Sequence, residues 1–161
     1  MSLLEEIETE TWDDAALLHT LRIWNHRLSG LSTTPVEEIR LMVDFMIDHH
    51  FHGDNDIEDD SCWLDLGALA LKAHPFASAV EVSTILSKKQ KDYGPNNIAR
   101  FAEKGLILRL HDKIARLENL LEKQYDASNE SIEDTYLDII GYSVIGMMWM
   151  NNDFFKPLRE E

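Results

Sequence analysis

Leu106–Lys123 reads LILRLHDKIARLENLLEK. Ile107, Leu110, Ile114, Leu117 and Leu121 fall at steps of three and four, which puts them on one face of an α-helix. The same period governs Ser131–Met150, SIEDTYLDIIGYSVIGMMWM, where Ile132 or Glu133, Leu137, Ile140, Val144 and Met147 trace the buried side. Upstream, Ala15, Leu18, Leu21, Trp24 and Leu28 predict a helix capped by Thr11 or Asp13 and stopped at Gly30. Thr34-Pro35-Val36-Glu37 is a helix start, with Thr34 as cap, Pro35 in the first position and Glu37 in the third. That helix continues through Ile39, Val43, Met46 and Ile47 until the polar run His49–Ser61 breaks it.

Cys62–Leu71 and Val80–Lys91 predict two more helices, ending near His74-Pro75 and at Asp92-Tyr93-Gly94-Pro95. Asn97–Glu103 reads as a short helix before Gly105. No strong alternating strand pattern and no fixed repeat is present. The expected class is therefore all-α, an orthogonal or bundle-like helical array. Residues 1–75 are expected to form an N-terminal helical region of unknown role, and 76–161 a helical domain joined to it in one compact unit.

The 161 residues suffice for a real core, and 44% of them are apolar. Acidic residues outnumber basic ones 30 to 15, giving a formal charge of −15. Such a field repels a nucleic-acid backbone, so polymeric DNA or RNA is a poor partner. A small phosphate ligand remains open, because a local basic cluster reverses the sign inside a cleft. The single cysteine, Cys62, allows no internal disulfide. The N-terminal MSLLEEIETETWDD lacks the order of a signal peptide. Ile139–Met150 is only about half of the roughly 20 residues a membrane span needs. These features lead to the expectation of a cytoplasmic protein without a membrane partner.

Two polar stripes carry the candidate chemistry. Arg109, Asp112, Lys113, Arg116 and Asn119 share one side of a helix; Ser131, Asp134, Thr135, Asp138 and Tyr142 share a side of the next. A short loop, Tyr125–Glu130, would set the two helices antiparallel and adjacent. Carboxylates suit Mg²⁺, which binds through one or two of them plus substrate phosphates. Arg109, Lys113 and Arg116 would hold those phosphates. The same residues also read as ordinary surface pairs, Asp112 with Arg116 at i,i+4 among them. Asp138 stands apart, because it opens the most apolar run in the chain and needs a partner to offset desolvation.

Before these stripes lie Lys88, Lys91, Asp92, Tyr93, Asn96 and Asn97. A tyrosine with asparagine amides suits a nucleobase, by stacking and by hydrogen bonds, although Gly94-Pro95-Asn96 also has plain turn chemistry. His49, His50, His52, Asp54, Asp56, Glu58, Asp59 and Asp60 form a ligand-rich run. It starts like a calcium loop but has Asp59 where the turn requires glycine, so it reads first as a solvated acidic loop. Trp12, Trp24, Trp63 and Trp149 read as core or subunit contacts, and Met147–Met150 as a candidate subunit face.

The pattern DYG, then KGLILRLHDKIARLENLL, then EDTYLDIIGY resembles the nucleotide modification associated domain type 1 family of bacteriophages and bacteria. The resemblance covers roughly Val80–Met150 and extends to the related MazG-like all-α nucleoside triphosphate pyrophosphohydrolases, dimeric dUTPases among them. It implies a helical nucleotide site, Mg²⁺-dependent where catalytic, in a homo-oligomer. Metal-binding acids would map to Asp112, Glu133, Asp134 and Asp138, with Asp112 and Asp138 catalytic. Lys88, Asp92, Tyr93, Asn96, Arg109, Lys113, Arg116 and Tyr142 would bind the nucleotide. Thr135 stands where that superfamily has a glutamate, a departure from the full acidic set. The alternative is a non-enzymatic acidic protein that binds a host or phage protein.

Overall fold

The computed structural model describes residues 9–26, 35–53, 59–123 and 131–160. Among them are seven α-helices and no strand, so the fold is all-α. They are α1 (Trp12–Asn25), α2 (Pro35–Ile47), α3 (Ser61–Ala73), α4 (Ala79–Tyr93), α5 (Asn96–Ala99), α6 (Ala102–Lys123) and α7 (Ile132–Met150). None of the described helices is long and apolar enough to cross a membrane.

Local chemistry sets the helix ends. Thr11, Ser78 and Ser131 cap α1, α4 and α7 by accepting the amides of Asp14, Glu81 and Asp134. Pro35 opens α2, where its missing N–H costs nothing. Gly94 ends α4 with φ +67, and its amide donates to the Gln90 carbonyl. At the end of α7, Asn152 takes φ +61, and Asp153 N–H reaches back to the Met148 carbonyl. The closing bond spans five residues, as in a Schellman cap.

Three expectations shift. The expected break at His49 is instead a π-helical turn, Asp48–His52, that carries α2 onward. Asn97–Glu103 is not one helix: α5 is a single turn, and after Arg100–Phe101 the chain enters α6 at Ala102 with φ +52. Gly105 accordingly lies inside α6. On α6, Leu120 is buried and Leu121 is 47% exposed. The two positions stand 100° apart around the helix, so burial of one leaves the other turned outward. Gly30, Thr34, Asp54, Asp56, Glu58 and the 125–130 loop lie outside the described residues.

α7 is the central rod, touched by α1, α3, α4 and α6, while α2 bridges α3 and α6. It is therefore buried on several sides: Tyr136, Ile139, Ile140, Val144, Met147 and Met148 all join the core. Met147 and Met148 are thus enclosed within this chain. Trp12 and Trp63 are core residues as well, and Trp24, Trp149 and Cys62 pack against that core. α3 makes the most extensive helix contact with α7. Gly146 admits the ring of Trp63, and Gly67 admits Ile23 and Ser143. One hydrophobic cluster runs from Trp12 to Phe154, so both halves of the chain contribute to it.

Polar ties hold the periphery. The Arg40 guanidinium grips both oxygens of Glu118 and so joins α2 to α6. His26 pairs with Asp65 at 2.7 Å, closing α1 on α3. The ligand-rich run expected around His49–Asp60 is dispersed where it is described. His50 meets Glu103 at 3.1 Å, His49 lies against the Phe45 ring, and Asp60 engages Arg22 and Asn151.

Candidate functional site

α4 and α7 run antiparallel, as the pairs Lys89–Asp138 and Leu86–Gly141 show. Between them opens a cavity of about 460 Å³. α4 lines it with Ile85, Leu86, Lys89, Gln90 and Tyr93, and α7 with Leu137, Asp138, Gly141, Tyr142 and Ile145. Both sets follow the register i, i+1, i+4, i+5, i+8, a single helical face in each case. Asn97 and Ile98 from α5 and Arg109 from α6 complete the wall. Gly141 keeps the interhelical gap narrow there, since a Cβ on it would stand 2.8 Å from Leu86 Cδ2.

The cavity has two characters. Leu86, Leu137, Ile85 and Ile145 form an apolar wall, flanked by the rings of Tyr93 and Tyr142. Beside it lies a charged cluster. Asp138 accepts from Lys113 Nζ at 2.8 Å and from Lys89 Nζ at 3.3 Å. The Asp138 and Lys113 side chains are each 20% exposed, so this pair is screened less than a surface ion pair. Arg109 rests weakly on the Asn97 carbonyl, 3.4 Å away. One turn along, Arg116 Nη1 donates to the buried Thr135 hydroxyl at 3.2 Å, and that hydroxyl donates to the Ser131 carbonyl. The steps Lys113–Asp138 and Arg116–Thr135 fix α6 and α7 as antiparallel neighbours.

Of the residues singled out in the sequence, Tyr93, Asn97, Arg109, Asp138 and Tyr142 line the cavity, and Lys113 reaches it through Asp138. Arg116 is spent on Thr135 at the edge of the charged cluster. Lys88, Asp92 and Asn96 are exposed and do not line it. Lys89, one residue on from Lys88 and so 100° around the helix, lines the cavity and meets Asp138 while its side chain stays 49% exposed. Lys89, Gln90 and Gly141 were missed by the sequence reading. The signal that would have found Lys89 is its i+4 spacing to Tyr93.

The acidic residues do not converge. Asp112 is exposed on α6, and Glu133 and Asp134 are exposed in the first turn of α7, where they face the helix dipole. Only Asp138 is in the cavity, and both its oxygens are engaged by ammonium groups. Among the described residues no group of three or more histidine, cysteine, aspartate or glutamate side chains could hold a metal ion. The cavity itself offers a metal ion one protein carboxylate, that of Asp138.

A family model described as nucleotide modification associated domain 1 matches residues 89–150. The match begins at Lys89 and ends with α7, so it contains Lys89, Arg109, Lys113 and Asp138, the charged residues of the cavity. No curated protein and no solved structure matches the chain.

Proposed function

We propose that the α4–α7 cavity binds a nucleotide, with the base on the tyrosine-lined apolar wall and the phosphates toward Lys89, Lys113 and Arg109. The observation that carries this is the grouping of three cationic side chains beside two tyrosines in a chain of net charge −15. Local positive charge in an acidic molecule has to be built, and here two helices contribute to it, α4 with Lys89 and α6 with Arg109 and Lys113. Lysine serves as a point charge for phosphate, and arginine can add a two-pronged hydrogen bond. The tyrosine faces accept a base ring by stacking. The matched family description agrees with a nucleotide ligand.

Binding is the core of the proposal. Hydrolysis of a nucleoside triphosphate to a monophosphate and pyrophosphate is the finer reading, with Asp138 as the carboxylate inside the cavity. Titration calorimetry with mono-, di- and triphosphates of each nucleoside, with and without Mg²⁺, tests it. Binding that rises with phosphate number and falls in Lys113→Gln is the expected result. Full retention of binding in that variant, or no binding by any nucleotide, would refute the site.

A further inference from the structure

If the cavity takes phosphates, Asp138 has an unusual position in it. Its carboxylate already sits on Lys113 and Lys89, two of the three cations offered to the ligand. We propose that Asp138 is a built-in competitor for the phosphate position, holding down anion binding until its carboxylate is displaced or neutralised. The proposal rests on the nucleotide reading and adds a regulatory element to it.

Geometry and charge support it together. With Asp138 ionised, the cluster Lys89, Arg109, Lys113 and Asp138 carries three positive charges and one negative. Removing that carboxylate ends its hold on two ammonium groups and takes away a like charge from the incoming phosphate. An ammonium group has three donors, so each lysine can donate to phosphate oxygens once released. At contact distances in a partly screened site, one such like charge changes affinity by about tenfold or more. A metal-ligand role would instead call for further donors around Asp138, and the described residues gather no group of three or more histidine, cysteine, aspartate or glutamate side chains there. A purely structural ion pair is the remaining alternative, and it makes the opposite prediction, since loosening the lysines would weaken a ligand that depends on them.

The test measures inorganic pyrophosphate and ADP binding by calorimetry, in EDTA, for the wild-type chain and for Asp138→Asn. About tenfold tighter binding by the variant is expected. Unchanged or weaker binding by a folded variant, beside measurable binding by wild type, overturns this proposal and leaves the nucleotide site standing. Absence of binding by both proteins overturns the two together. A second measurement needs no variant. In wild-type protein labelled with ¹³C aspartate, pyrophosphate must shift the Asp138 carboxyl resonance as the lysines leave it. A carboxyl signal that stays fixed while the Lys113 ammonium signal moves overturns the competitor role, whatever the stability of Asp138→Asn.

Discussion

Gly146→Ala should unfold this protein at markedly lower temperature, although alanine is the better helix former. A Cβ at position 146 would lie 2.2, 2.4 and 2.6 Å from Trp63 Cδ2, Cε3 and Cε2. Carbon atoms in contact normally stand about 3.5–4.0 Å apart. The methyl therefore intrudes by more than about 1 Å on three atoms of a rigid fused ring that is 0% exposed. Removing a helical glycine returns about 1 kcal/mol. Overpacking a tight core costs about 1–3 kcal/mol, and occasionally more. Against a ring with no free space the cost belongs at or above the top of that range, so a net loss of about 2 kcal/mol or more is expected. For a chain of this size that lowers Tm by roughly 4–8 °C. Urea and thermal unfolding followed by circular dichroism measure it. Repeating the substitution in a Trp63→Leu background, where the ring is gone, should recover at least about 1 kcal/mol as coupling energy. Equal or greater stability of Gly146→Ala in the wild-type background would refute the α3–α7 apposition on which the placement of Asp138 and Tyr142 depends.

Other substitutions separate stability from binding. Gly141→Ala meets only the flexible end of Leu86, at 2.8 Å, so stability should change by less than about 1 kcal/mol while nucleotide binding weakens as the cavity narrows. A loss comparable to Gly146→Ala in the same unfolding experiment would contradict that contrast. Arg40→Ala removes the bidentate bond that ties α2 to α6; because Glu118 is 43% exposed, a loss of only about 1 kcal/mol is expected from urea unfolding.

His19 predicts acid sensitivity. Burial holds its pKa below the ordinary histidine value, the Asp153 hydrogen bond opposes this in part, and Arg22 adds to it. Arg22 can only donate, so His19 Nδ1 accepts and Nε2–H serves Asp153, a neutral ring. The folded state therefore binds fewer protons at this site than the unfolded chain. Stability should be complete above about pH 6.5 and decline as pH falls from there toward the lowered native value. The urea midpoint should show that slope in wild type and a smaller one in His19→Gln. An equal slope in both would place the acid sensitivity elsewhere.

The helical class, most helix ends and much of the buried surface follow from local rules that a sequence displays directly. Apolar spacing in Leu106–Lys123 specifies a helix whatever surrounds it, and Ser131 caps α7 through its own next residues. Tyr93, Arg109, Asp138 and Tyr142 were legible for the same reason, as polar residues on faces that a 3.6-residue period defines. What lies opposite each face was not. Lys89 in place of Lys88 is a rotation of 100°, decided only when α4 docks against α7. The place of Asp112, exposed on α6 and outside the cavity that holds Asp138, has the same origin, because helix periodicity orders residues within one rod and carries no information on how neighbouring rods turn. Leu121 shows this at the level of packing: it keeps the spacing of the stripe, yet Leu120, 100° away, is the residue that packing buries. Helix identity in this chain is a property of local spacing and caps, whereas the lysine-clasped aspartate in its tyrosine-walled cavity exists only because three distant segments are packed side by side.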